Sequence, residues 1–156
     1  MNRFLRLILA ASAVATIALG ADNTIGTWKY NTAKSKGAPG VPPVTNLTVT
    51  REATEGGVKI TAKGERSDGS KIDAVTDAKY DGKPVSPQGT GQAWDTTALK
   101  QMNADTVTEE RTKKGGKYHS NVRFVVSKDG KTMTATAEGT DADGKKFSTR
   151  VVWDKQ

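Results

Sequence analysis

Hydrophobic and polar residues alternate along most of the chain beyond residue 44. Apolar side chains recur at every second position within short segments, and Thr, Lys and Asp fill the positions between them. Clear examples are Val58, Ile60 and Ala62, then Val122, Phe124 and Val126, then Met133, Ala135 and Ala137. A period of two predicts β-strands with one buried face and one solvent-exposed face. The many Thr and Val residues favour strand over helix.

Turn signals separate these segments at regular intervals. Six pairs contain a Gly after Asp or Gly, and they are Gly56-Gly57, Asp68-Gly69, Asp81-Gly82, Gly115-Gly116, Asp129-Gly130 and Asp143-Gly144. Asn103-Ala104-Asp105 is a further candidate turn. Such pairs tolerate the positive φ angles of tight hairpin turns. The spacing therefore predicts consecutive antiparallel strands in a meander.

One segment, residues 93–102, is ambiguous. Trp94, Ala98, Leu99 and Met102 would also form a helical stripe, but adjacent Thr96 and Thr97 are β-branched and disfavour a helix, so we predict a strand. Two proline-containing segments, residues 33–44 and 82–91, are expected to be loops at the barrel ends.

About nine strands with one apolar face each bury that face by curling and closing. The predicted fold is therefore all-β, an antiparallel up-and-down meander β-barrel of about 8–10 strands.

The first twenty residues differ from the rest. Arg3 and Arg6 flank the start of an apolar run that ends at Leu19, and small residues follow. This pattern predicts a signal peptide over residues 1–20 and a single domain over residues 21–156, in the periplasm or outside the cell. The alternative is an uncleaved N-terminal anchor. The run is shorter than the roughly 20 residues that a membrane-spanning helix needs, so no transmembrane segment is expected after cleavage.

Composition argues against several functions. The chain has no Cys and one histidine, His119, so neither a disulfide nor a metal or haem site is expected, and we predict no cofactor. His119 falls on the polar face of its strand, and no Ser lies in a nucleophile context, so we predict that the protein is not an enzyme and has no catalytic residues. The 24 Lys and Arg residues are interleaved with 17 acidic residues, which predicts a solvated surface and no nucleic-acid binding.

An unusual pattern occurs in the segment that contains Val107. If Val107 points inward, Glu109 and Arg111 share its face, and these charged residues would pair or line a polar cavity inside the barrel. The alternative is a reversed register or a partly exposed strand.

The segment Gly26-Thr27-Trp28-Lys29-Tyr30 resembles the first-strand motif of calycins, the group that contains lipocalins, avidins and fatty-acid-binding proteins. The segment from Ser148 to Val152 would be the closing strand. The resemblance implies a lipocalin-like exported bacterial barrel that binds a small apolar molecule at one mouth. It also implies that a basic residue near the chain's end, Arg150 or Lys155, stacks on Trp28.

The chain departs from the fatty-acid-binding pattern on the last strand. The inward Arg and Tyr that hold a carboxylate in that group would correspond to Arg150 and Val152, so the Tyr is missing. Phe147, Val151 and Trp153 share the apparent inward parity, which directs Arg150 outward.

Two functions follow as hypotheses. The first is binding of a small apolar or amphipathic ligand inside the barrel, because the inward row from Met133 to Gly139 is small, although the same residues would also fit a filled core. The predicted ligand-binding residues are Trp28, Tyr30, Tyr80, Tyr118, Phe124, Phe147 and Trp153. The second is an envelope protein-interaction module, such as an inhibitor of a secreted hydrolase, that acts through residues 33–44.

Overall fold

The structure is a computed structural model that describes residues 20–156. The predicted signal peptide, apart from Gly20, lies outside the described residues. Ten strands follow one another along the chain: β1 Gly26–Tyr30, β2 Val44–Thr54, β3 Gly57–Arg66, β4 Lys71–Lys79, β5 Gln88–Thr90, β6 Thr96–Asn103, β7 Thr106–Thr112, β8 His119–Val126, β9 Thr132–Thr140 and β10 Lys146–Lys155. One turn of 3-10 helix, Thr32–Lys34, follows β1.

The strands form a single antiparallel sheet in the order β5-β4-β3-β2-β1-β10-β9-β8-β7-β6. The last strand returns beside the first, where Trp28 lies opposite Lys155. Every other neighbouring pair is consecutive in the chain. The prediction of an all-β meander that curls into a barrel is confirmed, and the strand predicted within residues 93–102 is β6.

The two ends of the sheet meet along a short seam. Val85 and Thr97 exchange backbone hydrogen bonds of 2.8 and 2.9 Å, and the Gly82 amide donates to the Leu99 carbonyl at 2.9 Å. The segment 82–91 is thus more than the predicted loop, because it bridges β6 and then returns as β5. This seam makes the curled sheet a half-barrel with a narrow join instead of a full ladder between β4 and β6.

The inward faces of the strands carry two adjoining hydrophobic clusters. The larger one contains Trp28, Leu47, Ile72, Val122, Phe124, Val126, Met133, Ala135 and Trp153. The smaller one contains Val58, Ala78, Leu99 and Val107. Both follow the alternation of the sequence, because side chains at i and i+2 share a face of the sheet.

One end of the barrel is closed by the chain that precedes β1. Thr24 is fully buried, and its carbonyl accepts a 2.8 Å hydrogen bond from Nε1 of Trp28. The Asn23 amide donates to the carbonyl of Ala104 in the β6–β7 turn at 2.8 Å, so this segment crosses from one side of the barrel to the other. Among residues 20–156 no helix has the length and apolar character needed to cross a membrane.

Candidate functional site

A charged pair lies inside the barrel at the level of β7. Val107 is fully buried, and Glu109 and Arg111 follow it on the inward face, with side-chain exposures of 6% and 19%. Of the two alternatives that the sequence left open for this segment, the structure shows the interior placement of both charges, and the reversed register is wrong.

The pair is held by specific hydrogen bonds. Nη2 of Arg111 donates to Oε2 of Glu109 at 2.9 Å, and the hydroxyl of buried Thr97 donates to Oε1 at 2.6 Å. Burial would raise the pKa of Glu109, but the Arg111 charge, these hydrogen bonds and the more distant Arg51 hold its pKa below the usual value. Burial likewise opposes the charge of Arg111, but Glu109 raises its pKa. Both groups are therefore ionised at neutral pH.

A second guanidinium, that of Arg51, lies deeper in the same interior. Arg51 shares its strand face with Leu47 and Val49 and is 2% exposed. Its Nε donates to the hydroxyl of Thr24 at 3.1 Å, whereas Nη2 has no hydrogen-bond partner among residues 20–156. Its Cζ lies 5.5 Å from the ring centroid of Phe124, and Cζ of Arg111 lies 5.9 Å from the same centroid. Phe124 is thus in cation–π range of both guanidinium groups.

A hydrogen-bonded chain extends from Arg51 to the closed end. The Thr24 hydroxyl donates to Oδ1 of Asp22 at 2.6 Å, and the hydroxyl of Tyr80 donates to the other carboxylate oxygen. Burial raises the pKa of Tyr80 to about 12, with Asp22 adding to the shift and Arg51 opposing it.

Three aromatic rings line the opposite end, which we call the aromatic mouth: Trp94, Tyr118 and Phe147. They lie at or near the starts of β6, β8 and β10. Trp94 and Tyr118 are stacked with centroids 6.2 Å apart, and Tyr118 and Phe147 with centroids 6.1 Å apart. Cζ of Arg111 lies 4.0 Å from the Trp94 centroid. All three rings are only partly buried, so a cation lies directly below an accessible aromatic surface.

The structure distributes the seven predicted site residues over three regions. Trp28, Phe124 and Trp153 are buried in the core, and Tyr30 packs edge-on against Trp153 at 5.3 Å. Tyr80 lies at the closed end, whereas Tyr118 and Phe147 belong to the aromatic mouth.

Sequence reasoning did not select Trp94, Arg111 or Arg51 as site residues. The alternation along β2 could have predicted that Arg51 points inward, because Leu47, Val49 and Arg51 follow one another at intervals of two residues. The orientation of Trp94 could not be predicted, because the pattern of its segment fits both a helix and a strand.

The stacking of a basic residue on Trp28, which the calycin resemblance implies, is present between β10 and β1. Nζ of Lys155 lies 5.1 Å from the centroid of the Trp28 ring, and Arg150 is exposed, as its parity predicted. His119 lies at the surface, 3.2 Å from Glu110.

Two hollows are open to solvent elsewhere. One of about 550 Å³ lies mainly against the outward side chains of β6–β9, including Lys100, Thr108 and Arg123. The other, of about 410 Å³, lies at the closed end beside Asp22 and Tyr80. Residues 20–156 contain no group of three or more His, Cys, Asp or Glu residues arranged to hold a metal ion.

Comparison with known proteins finds similarity to a solved structure but to no family model. No family model matches the chain, and no curated protein matches it. A solved structure described as EF1p2_mFAP2b bound to DFHBI is similar, with 12% identity, a TM-score of 0.47 and coverage of 86% of this chain and 94% of that one.

Proposed function

We propose that the protein binds a small amphipathic molecule at the aromatic mouth. The supporting observation is the arrangement of Trp94, Tyr118 and Phe147 as partly exposed, stacked rings above the guanidinium of Arg111. Small-molecule sites typically combine an apolar, often aromatic lining with a few fixed polar groups.

Binding, and not catalysis, is the function proposed. The single histidine of the sequence lies on the outside at His119, where its near neighbour is Glu110. The interior pair of Glu109 and Arg111 is ionised and hydrogen-bonded, which is suited to a fixed electrostatic environment and not to proton transfer near neutral pH.

The test is purification without denaturant of the protein from Ala21 onward, followed by solvent extraction and mass spectrometry. We expect a small molecule at near-stoichiometric amount in the wild type and its loss in Trp94→Ala. The matched control is Met102→Ala, which removes an exposed apolar side chain from the same strand, β6. Equal recovery from both variants would place the molecule elsewhere, and a blank wild type that also fails to bind apolar fluorescent probes would refute the proposal.

A second candidate is protein binding through the proline-containing segment 33–44. Val41 is 47% exposed there, and the segment is anchored because the Lys36 amide donates to the Arg150 carbonyl at 2.7 Å. Deleting residues 38–42 keeps that anchor. We expect the deletion to abolish binding to a partner identified by cross-linking while thermal unfolding stays unchanged, and retained binding would reject this candidate.

We also propose export to the periplasm or beyond, on the basis of the N-terminal sequence. N-terminal sequencing of the protein recovered from cell fractions should begin at Ala21 outside the cytoplasm. A cytoplasmic protein that begins at Met1 would contradict this proposal.

A further inference from the structure

We propose that the outer face of β6–β10 binds a linear acidic polysaccharide that carries one acidic group on every second sugar. This face lies outside the barrel and does not include the aromatic mouth. The inference therefore goes beyond the proposed function and does not depend on it.

The first observation is a row of outward side chains that crosses five neighbouring strands. Lys100 lies opposite Thr108, and Thr108 lies opposite Arg123. On the other side of β8, Arg123 lies opposite Thr136, which in turn lies opposite Arg150. We call these five residues the basic row. Basic residues that are interleaved with acidic ones along the chain are thus aligned across the sheet by the strand register.

The second observation is the spacing of the charges along the basic row. Its cations lie on alternate strands, β6, β8 and β10, and neighbouring strands are about 4.8 Å apart, so the backbones of the cations follow one another at about 10 Å. Lys36 adds a further positive charge beside β10, because it forms an antiparallel bridge with Arg150. An extended disaccharide has a length similar to the interval between the cations. A polysaccharide with one acidic group per disaccharide therefore presents its charges at a matching interval.

The third observation is that these cations are available to a ligand. Lys36, Lys100, Arg123 and Arg150 are exposed, and among residues 20–156 they form no ion pair within 4 Å. The side chain of Lys100 lies against Gly82 in the seam, where an added Cβ would overlap with its Cε. Ammonium and guanidinium groups bind oxyanions through charge-assisted hydrogen bonds. An acidic group that approaches the basic row therefore meets cations that no carboxylate of the described chain neutralises by direct contact.

The fourth observation is the hollow of about 550 Å³ on this face. It is lined by Lys100 and Arg123 of the basic row and by a second row of Glu110, Asn121 and Glu138. The second row crosses β7–β9, since Glu110 lies opposite Asn121, and Asn121 opposite Glu138. Carboxylate and amide oxygens accept hydrogen bonds from hydroxyl groups. A sugar chain in the hollow thus meets cations for its acidic groups and acceptors for its hydroxyl groups.

A denser polyanion fits this surface less well. Duplex DNA carries a phosphate about every 3.4 Å along each strand. Phosphates between those that reach the cations would lie near Glu110 and Glu138, and like charges in an interface repel. Among residues 20–156 no aromatic side chain lines the hollow, so it lacks the stacking surface on which single-stranded bases bind. A flat membrane surface does not enter a hollow. These features favour a polysaccharide.

A matched pair of sugars tests the inference by isothermal titration calorimetry at low salt. The probe is a hyaluronan octasaccharide, which has one carboxylate per disaccharide, and the comparison is the same octasaccharide with its carboxylates reduced to alcohols. The wild type should bind the acidic form at least tenfold more tightly than the reduced form. Arg123→Gln should weaken binding of the acidic form about tenfold and change that of the reduced form by less than about twofold.

The matched control is Lys59→Gln, which removes one exposed positive charge from the outward face of β3. It should keep the wild-type affinity within about twofold. Glu138→Gln removes a negative charge beside the basic row but keeps an acceptor oxygen, so it should strengthen binding of the acidic form about threefold. All three substituted side chains are exposed, so thermal unfolding should stay unchanged in each variant.

Four results would overturn the inference. They are no binding of the acidic octasaccharide, equal affinity for the two forms, equal losses in Arg123→Gln and Lys59→Gln, and tighter binding of a DNA oligonucleotide of the same net charge. The last result would assign the basic row to nucleic acid. The aromatic mouth is tested separately by extraction of a bound molecule, so failure of one proposal does not decide the other.

Discussion

Thr97 joins the seam of the barrel to the ion pair in its interior. Its hydroxyl donates a 2.6 Å hydrogen bond to Oε1 of Glu109, and its backbone exchanges two hydrogen bonds with Val85. The narrow join between the two ends of the sheet is therefore supported from inside by a buried carboxylate that Arg111 keeps ionised.

Thr97→Val should destabilise the protein and loosen the seam. Valine keeps the shape and the strand preference of threonine but leaves Oε1 of Glu109 without its hydroxyl donor, which typically costs about 1–3 kcal/mol for a buried group. Urea unfolding measures the loss, and hydrogen exchange of the Val85 amide reports the seam. Thr136→Val on the exposed face of β9 is the control and should change neither quantity. Unchanged exchange at Val85 in Thr97→Val would show that the hydroxyl does not support the seam.

Removing one member of the ion pair should cost far more than removing both. Arg111→Met leaves the carboxylate of Glu109 buried with a single nearby cation, and such a break typically costs about 3–5 kcal/mol. The double variant Arg111→Met with Glu109→Leu removes both charges and should recover much of that loss. Unfolding free energies of the four proteins form a double-mutant cycle. Additive losses in this cycle would show that the two side chains do not depend on each other.

The sequence predicted which side chains point into the barrel much better than it predicted where along the barrel axis they lie. Alternation and turn pairs predicted the strands, whereas the parity of Val107 offered an interior position of Glu109 and Arg111 only as one of two alternatives. Parity does not determine how far along the axis a side chain lies, because strand tilt and stagger determine that. Tyr80 and Tyr118 both face inward, yet they lie at opposite ends of the barrel.

The seam and the approach of two guanidinium groups to Phe124 depend on contacts between distant segments. Val85 meets Thr97 only once the whole sheet has curled, so no local pattern around residue 85 predicts the bridge. Likewise, the approach of Arg51 on β2 and Arg111 on β7 to the same Phe124 ring follows from packing across the barrel. These contacts define the candidate site, which explains why the predicted site residues only partly coincide with it.

Acid should remove the stability that Glu109 provides. The pKa of Glu109 in the folded protein is lowered from its ordinary value of 4.5, so its contribution is fully present above about pH 4.5 and is lost as the pH falls through the lowered value. Hydrogen bonds also lower the pKa of Asp68, Asp95 and Asp129, but they do so in wild type and in Glu109→Gln alike. The difference between wild type and Glu109→Gln therefore isolates Glu109. We expect the unfolding free energy to fall less steeply below pH 4.5 in the variant, and parallel curves would contradict the lowered pKa.

Alkali should weaken the closed end through Tyr80. Its pKa is raised from 10.0 to about 12, so the folded state holds the phenolic proton more tightly than the unfolded state does. The associated stability is fully present below pH 10.0 and is lost as the pH rises through about 12. Tyr80→Phe lacks this proton, so its unfolding free energy should decrease less over the same interval. Absorbance of the phenolate provides an independent measurement, because one late-titrating tyrosine of the three in the sequence should disappear in the variant. An unchanged late titration in Tyr80→Phe would show that another tyrosine has the raised pKa and that burial beside Asp22 does not retain the proton of Tyr80.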